Sequence, residues 1–566
     1  MFDGHTLCGL FDDTVAAFGD APALVGPDTA LTWTEYGARV GALAPALRTL
    51  GLEPGDTVAL ATRNTPHFHV VDTAILRAGG VPFSLQVTDP AERSAALMDT
   101  AGARLLLTEQ EFLPAARDIA QRVGAHVTVV VIDGDAGAHP ETCVADLLTD
   151  GLQDRTASLP QIDAEDIATL IFTSGTTGAP KAVQLSHRAV VSSLRGTHTL
   201  APVSPGGRVL SYLPLSHIAE RFMSYYLSLG SGCTIYCVPD PHRLYEAIRQ
   251  VRPTRFFAVP RVWEKLADRA KDLLDARPGL EDALTATQDG QSILGTDERF
   301  APILAELGLD AAEHRGTATA PSSRWVLEFF ETLGAPIAEI WGMSEAIMCT
   351  MNPPGRAKPG SVGVLLPGVQ GRVADDGELL IRGSNVMSGY LGEPEHTAAA
   401  FDADGWLRTG DLGEIDADGY LRLVGRKKDI LITATGKNVV PVVVENAIKE
   451  QTRLLDYVVA IAEGRRYVTA LLVPDYEQLQ AFAAEHGLSA DVCSLVQNPT
   501  VHAEIERAIA AANEQLAGPE SVRAWVLLDQ QWRPGGDEVT PTMKLRRSVI
   551  ADKYAPVIDR LYRAAP

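Results

Sequence analysis

Apolar and polar positions change period repeatedly along the chain, and the first third sets the pattern. Tyr36, Val40, Leu43 and Leu47 recur at helical spacing. Residues 57–61 then form a short run suited to a strand, residues 66–77 read as a helix, and residues 81–85 read as a second strand. Residues 105–107 and 127–132 add apolar runs between further helical segments. Strands alternating with helices imply a parallel sheet with helices on its faces, so the expected class is α/β. Nothing before about residue 165 stands out as catalytic. Residues 157–166, rich in Ser, Asp and Pro, read as a connector.

The next apolar run ends at Ile171 and Phe172 and leads into Thr173, Ser174, Gly175, Thr176, Thr177, Gly178, Ala179, Pro180 and Lys181. Residues 182–185 are extended in pattern, and the Ser186 hydroxyl can cap a helix beginning after it. The loop therefore joins two strands. Its glycines allow close backbone approach, and its hydroxyls and N–H groups can surround phosphate oxygens beside the Lys181 charge. The spacing is not that of G-x-x-x-x-G-K-[ST], and no helix follows the lysine directly. On residue types alone, a plain Gly/Thr turn is the alternative.

Further along, residues 253–265 read as an apolar strand stopped by proline and followed by a helix start. Residues 266–316 are charged and weakly patterned. In the string Leu213 to Arg221, a lone His217 is more often structural than catalytic, and Glu220 and Arg221 read as a surface ion pair. Asp411 sits in a Thr-Gly-Asp turn between short strands. After the basic cluster at residues 425–430, a small α+β unit is expected. It has a hairpin around Gly464, helices near residues 475–486 and 499–516, a strand at residues 522–528, and Lys544 just before a last helix.

Composition narrows the classes. At 566 residues the chain needs several domains or subdomains. A hydrophobic content of 46% with 21% charged residues is globular. The net charge of −23 argues against a nucleic-acid partner and against charge-driven docking on anionic lipid. Cys8, Cys143, Cys233, Cys237, Cys349 and Cys493 are scattered without a zinc pattern, and read as buried free thiols of a reducing cytosol. With no basic, apolar leader and no apolar run of membrane-spanning length, a cytoplasmic location is expected.

Ser174 to Lys181 resembles the signature loop of the adenylate-forming superfamily, which includes acyl-CoA synthetases, adenylation domains and luciferases. Later strings follow in the same order. Leu213 to His217 resembles the Leu-Pro-x-x-His motif, whose histidine lies by the substrate carboxylate. Residues 316–321 stand where the family has Ser-Gly-Gly-Ala-Pro lining the adenine pocket, and Thr319 there departs from glycine. Trp341, Gly342, Met343, Ser344 and Glu345 resemble Tyr-Gly-x-Thr-Glu. The resemblance implies that Trp341 offers a π face to adenine, Ser344 a hydroxyl to phosphate, and Glu345 an oxygen ligand to Mg2+. It also implies that Asp411 holds the ribose hydroxyls, that Arg426 contacts ribose or phosphate, and that Lys428 is a hinge pivot. Lys437 would lie on a loop that reaches the reaction centre after rotation, and Lys544 would bridge the carboxylate and the α-phosphate.

The similarity spans about residues 10–560 and is closest to AMP-forming long-chain fatty acyl-CoA synthetases. It implies a large adenylating domain at residues 1–424, a hinge at 425–430 and a small mobile domain at 431–566. The implied activity converts a fatty acid, ATP and CoA, with Mg2+, through acyl-AMP to acyl-CoA, AMP and pyrophosphate. Peripheral membrane contact is left open because the substrate partitions into lipid. The alternatives are a fatty acyl-AMP ligase that loads an acyl carrier protein, and a nucleotide-binding regulator without catalysis.

Overall fold

A computed structural model describes residues 2–134, 141–150, 159–173, 180–277, 280, 298–533, 535–540 and 543–564. The expected parallel sheet is present. Its strands run in the order Val81–Ser84, Thr57–Ala61, Leu105–Thr108, Thr128–Val131 and Thr142–Cys143, all parallel. Helix Pro66–Arg77 starts where the pattern places it, with proline in its first turn and the Thr65 hydroxyl capping Phe68 N–H. Proline fits there because the first N–H groups of a helix have no partner within it.

Two of the further sheets in the large N-terminal part carry candidate site residues. One is five-stranded and includes Arg255–Ala258, His314–Thr317 and Ala338–Trp341 in parallel. The other is a four-stranded antiparallel sheet of Val369–Val373, Glu378–Gly383, Leu407–Ile415 and Leu421–Arg426. The Gly316–Pro321 string is strand only to Thr317, because Thr319 turns the chain with a φ of +79°.

The C-terminal part forms its own core. Strands Leu455–Ile461 and Val468–Pro474 make the expected hairpin, and Val522–Leu527 adds in parallel. The single last helix expected after Lys544 is two, Arg547–Lys553 and Ala555–Ala564, because the chain leaves helical geometry at Tyr554, whose ring is buried in the core. Cysteine placement also differs from expectation at one position: Cys493 is exposed, on the short helix Val492–Val496, while the other five thiols are buried. No helix among the described residues is long and apolar enough to cross a membrane.

Charged contacts join the two parts. On helix Pro260–Asp275, Arg261 pairs with Asp475, lies 3.3 Å from Asp456, and also reaches Glu264 on its own helix at 3.3 Å. Lys449 pairs with Glu264 at 3.6 Å and Lys265 with Glu477 at 3.8 Å. The Arg453 guanidinium lies over the Trp325 ring, 5.2 Å from its centroid.

Candidate active site

The hairpin Ile167–Thr173 and Lys181–Ser186 pairs antiparallel and is buried against the parallel sheet. Ser186 accepts from Ala189 N–H at 3.2 Å and starts the next helix, as its position implies. Thr173 and Lys181 stand at the two hairpin ends that enclose the loop. Ser174, Gly175, Thr176, Thr177 and Gly178 lie outside the described residues.

His217 caps the short helix that follows it: its Nδ1 accepts from Ala219 N–H at 3.2 Å. That bond assigns the proton to Nε2, so the ring presents an N–H donor on its other side. Burial, with the Lys544 charge adding to it, pushes the His217 pKa down to about 3. The histidine is therefore neutral at physiological pH, a hydrogen-bond donor rather than a cation.

Glu220 and Arg221 are not a surface ion pair. Both are fully enclosed, and each is bound to other partners. Arg221 pairs with Asp72 at 2.7 Å and donates to the Leu215 carbonyl at 3.1 Å and to Ser84 Oγ at 3.0 Å. Glu220 accepts from Leu213 N–H at 3.0 Å and from Ser224 Oγ at 2.6 Å, and burial raises its pKa to about 7. Neighbours in sequence here point into different parts of the core. The loop that carries His217 is tied down at both Leu213 and Leu215. Removing one partner of such a buried pair costs about 3–5 kcal/mol.

Asp411 is buried on the strand Leu407–Ile415, with both carboxylate oxygens engaged. Arg426 Nε lies 2.6 Å from Oδ1, and Trp341 Nε1 donates to Oδ2 at 2.8 Å. The Trp341 ring is thus buried in the core beneath Asp411, with its N–H committed to the carboxylate. Each carboxylate oxygen keeps a second lone pair, so a diol can still be received. Gly342 has a packing reason: a Cβ there would come within 2.0 Å of the Ile347 carbonyl oxygen. Ser344 and Glu345 follow, half-buried, and Tyr390 Oη donates to Glu345 Oε1 at 3.0 Å.

Thr319 is a strained point. Its φ of +79° lies in the left-handed region that disfavours a β-branched residue, and its hydroxyl is enclosed without a partner among the described residues. Thr319→Gly should raise stability by about 1 kcal/mol. Relief of about 1–3 kcal/mol of strain outweighs the roughly 0.5–1 kcal/mol of added unfolded-state freedom. The denaturation midpoint reports this, and an unmoved midpoint would mean that no strain is stored there.

Lys544 comes from the other end of the chain into this group. The Thr540 N–H donates to Lys544 O, the Met543 N–H to Thr540 O and the Lys544 N–H to Thr540 Oγ1, each at 2.9 Å. Met543, with a φ of +62°, packs on cores of both parts of the protein. Solvent reaches Lys544, yet surrounding protein lowers its pKa. Desolvation is the main cause and the Arg426 charge the next, opposed by Asp411 and Glu345. Lys544, His217, Asp411, Glu345 and Arg426 thus share one electrostatic neighbourhood. Lys428 is exposed on the turn Lys427–Asp429 at its edge. Lys437 stands apart, exposed in a turn between Leu431–Ile432 and Asn438–Val439.

Magnesium fits only in a limited sense. The described residues hold no cluster of three or more His, Cys, Asp or Glu side chains able to cage a metal ion. Glu345 supplies a single carboxylate, which suits a cation that takes its other ligands from nucleotide phosphates and water.

The sequence matches the family model for AMP-binding enzymes over residues 11–391 and the model for the AMP-binding enzyme C-terminal domain over residues 428–566. The chain belongs to the AMP-binding enzyme family. Among relatives, it is 41% identical to a putative fatty-acid–CoA ligase, fadD11, of Mycobacterium tuberculosis, covering 71% of this chain and 74% of that one. It is 30% identical to the long-chain-fatty-acid–CoA ligase FadD15 of Mycobacterium bovis, over 94% and 92% of the two chains. In structure it superposes on the adenylation domain of a carboxylate reductase from Mycobacterium chelonae with a TM-score of 0.81, 22% identity and coverage of 99% and 92%. That likeness gives this AMP-binding enzyme its fold: a large N-terminal part and a small C-terminal domain.

Sequence reasoning missed Tyr390, Asp72 and Arg261. Each acts through partners on distant segments.

Proposed function

We propose that this AMP-binding enzyme is a long-chain fatty acid–CoA ligase that works in two steps. A fatty carboxylate attacks the α-phosphate of ATP, giving acyl-AMP and pyrophosphate. The CoA thiol then attacks the acyl carbon, and AMP leaves. The observation that carries this reading is that Lys544, on the C-terminal part, lies within electrostatic range of His217, Asp411 and Glu345 on the N-terminal part. The names of the relatives support a fatty acid as the carboxylate.

A carboxylate is already a nucleophile, so no general base is needed. The barrier is repulsion between anions, together with alignment. Lys544 meets both by placing a cation between carboxylate and α-phosphate. Neutral His217 donates from Nε2 to the carboxylate without competing for its proton. Asp411, held by Arg426 and Trp341, takes the ribose hydroxyls. Thr319, Gly342 and Ser344 line the nucleotide pocket, and Lys181 with the loop Thr173 to Gly178 binds the phosphates. Magnesium, when bound at Glu345, supplies charge neutralisation for the departing pyrophosphate.

The same reading divides the chain into residues 1–424, a hinge at 425–430 and a mobile domain at 431–566. Lys428 is the pivot, and Lys437 moves to the centre for the thioester step. The test is an incubation with Mg·ATP and acids from short to very long chain, with and without CoA, followed by mass spectrometry. Acyl-CoA and AMP from a preferred long acid are expected. Acyl-AMP that persists in the presence of CoA, or no AMP from any acid, would overturn the ligase reading.

A further inference from the structure

Lys181 and Glu345 lie on different segments, 164 positions apart, and one side chain touches both. Tyr390 sits on the strand Gly389–Tyr390, which pairs antiparallel with Lys181–Ser186 so that Tyr390 stands opposite Val183. Its hydroxyl donates to Glu345 Oε1 at 3.0 Å. Its ring face carries the Lys181 ammonium, with Nζ 4.9 Å from the centroid.

The tyrosine is itself pinned. Its N–H donates to Thr397 Oγ1 at 2.9 Å. Three residues earlier, Met387 N–H donates to the Glu345 carbonyl at 2.8 Å, so the strand is fastened to the backbone of the residue whose side chain it aims. Burial, reinforced by the Glu345 charge, raises the phenol pKa, so the hydroxyl stays a donor throughout the physiological range. The second Glu345 oxygen has no hydrogen-bond partner among the described residues.

The two contacts use different parts of one aromatic ring. The geometry points to Tyr390 as a positioning residue for the phosphate end of the nucleotide site, its hydroxyl aiming Glu345 at a divalent cation and its face seating Lys181 for the phosphate oxygens. This rests on the nucleotide roles proposed above for Glu345 and Lys181.

The test separates hydroxyl from ring. ATP binding to the full-length protein is measured by calorimetry, in EDTA and across a Mg2+ titration, for wild type, Tyr390→Phe and Tyr390→Leu. Thermal melts check that each variant is folded. Tyr390→Phe keeps the ring face, so ATP affinity in EDTA should be unchanged. The Mg2+ concentration for half-maximal enhancement should rise about tenfold, the scale of one hydrogen bond to a charged group. Tyr390→Leu should show the same Mg2+ shift and, in EDTA, also lose about threefold in ATP affinity.

A Mg2+ titration of Tyr390→Phe that superposes on wild type would overturn the inference, and this arm decides even if the Leu variant does not fold. Equal EDTA affinity for Phe and Leu would overturn the role of the ring face. Wild type that binds no ATP under either condition would overturn the nucleotide reading together with this inference. ATP binding by wild type with indistinguishable variants would overturn this inference alone.

Discussion

Lys544→Ala abolishes acyl-adenylate formation, by at least about a hundredfold, yet leaves thioester formation from supplied acyl-AMP and CoA within about threefold of wild type. The reason is where the ammonium group is held. Lys544 is tied to Thr540 by backbone and hydroxyl bonds, and the neighbouring Met543 side chain packs against both parts of the protein. The charge is therefore held within electrostatic range of His217, Asp411 and Glu345. A carboxylate and a phosphate, both anionic, can approach there only with a cation between them.

Thiol attack on an acyl-adenylate brings no such pair of anions together, so that step does not need this lysine. Single-turnover measurements of the two steps separate them. Retained adenylation in the alanine variant would refute the assignment.

The lowered Lys544 pKa adds a pH signature. Desolvation disfavours its charged form, so the charge is lost as pH rises through a value below that of an ordinary lysine. The alkaline limb of adenylation should fall correspondingly early, and Lys544→Arg should move it upward, because guanidinium stays charged.

Much of this arrangement could be read from the chain before any coordinates. The strands Ile167–Thr173 and Lys181–Ser186, the Ser186 cap and the proline-started helix Pro66–Arg77 are written in local period and local hydrogen bonding. Such signals need only a few neighbouring residues. The hairpin around Gly464 and the strand near residue 522 were legible for the same reason.

What was not legible depends on partners far along the chain. Glu220 and Arg221 are adjacent and opposite in charge, which reads as an exposed pair. Only the fold shows Arg221 matched to Asp72 and Glu220 closing on Leu213, so the pair lies inside the core. Trp341 offered an aromatic face in sequence. The N–H bond that it makes to Asp411, 70 residues away, was not visible there. Tyr390 carried no signal at all, because its significance lies in touching two residues already singled out for charge.

Arg261 gives the other large effect, and it concerns the joint between the two parts. One guanidinium serves three carboxylates, Glu264 on its own helix and Asp456 and Asp475 on the C-terminal domain. Asp475 also caps the helix Tyr476–Glu485, so the contact is fixed from both sides. Arg261→Glu would place four carboxylates in this space with Lys449, 3.6 Å from Glu264, as the nearby cation.

Breaking a buried pair costs about 3–5 kcal/mol, and the Arg261 side chain keeps 23% of its exposure, so a discounted figure of about 2 kcal/mol applies. That corresponds to about a thirtyfold loss of the closed arrangement. Because this arrangement brings Lys544 to the site, the adenylation rate should fall by a similar factor. The thioester step from supplied acyl-AMP does not rely on Lys544 and should hold steady or quicken. Added salt should lower wild-type adenylation in the same direction, since the contact is electrostatic. Equal losses in both steps would show a general defect of folding instead. Unchanged adenylation in Arg261→Glu would mean that the packing of Met543, rather than this ion cluster, holds the two parts together.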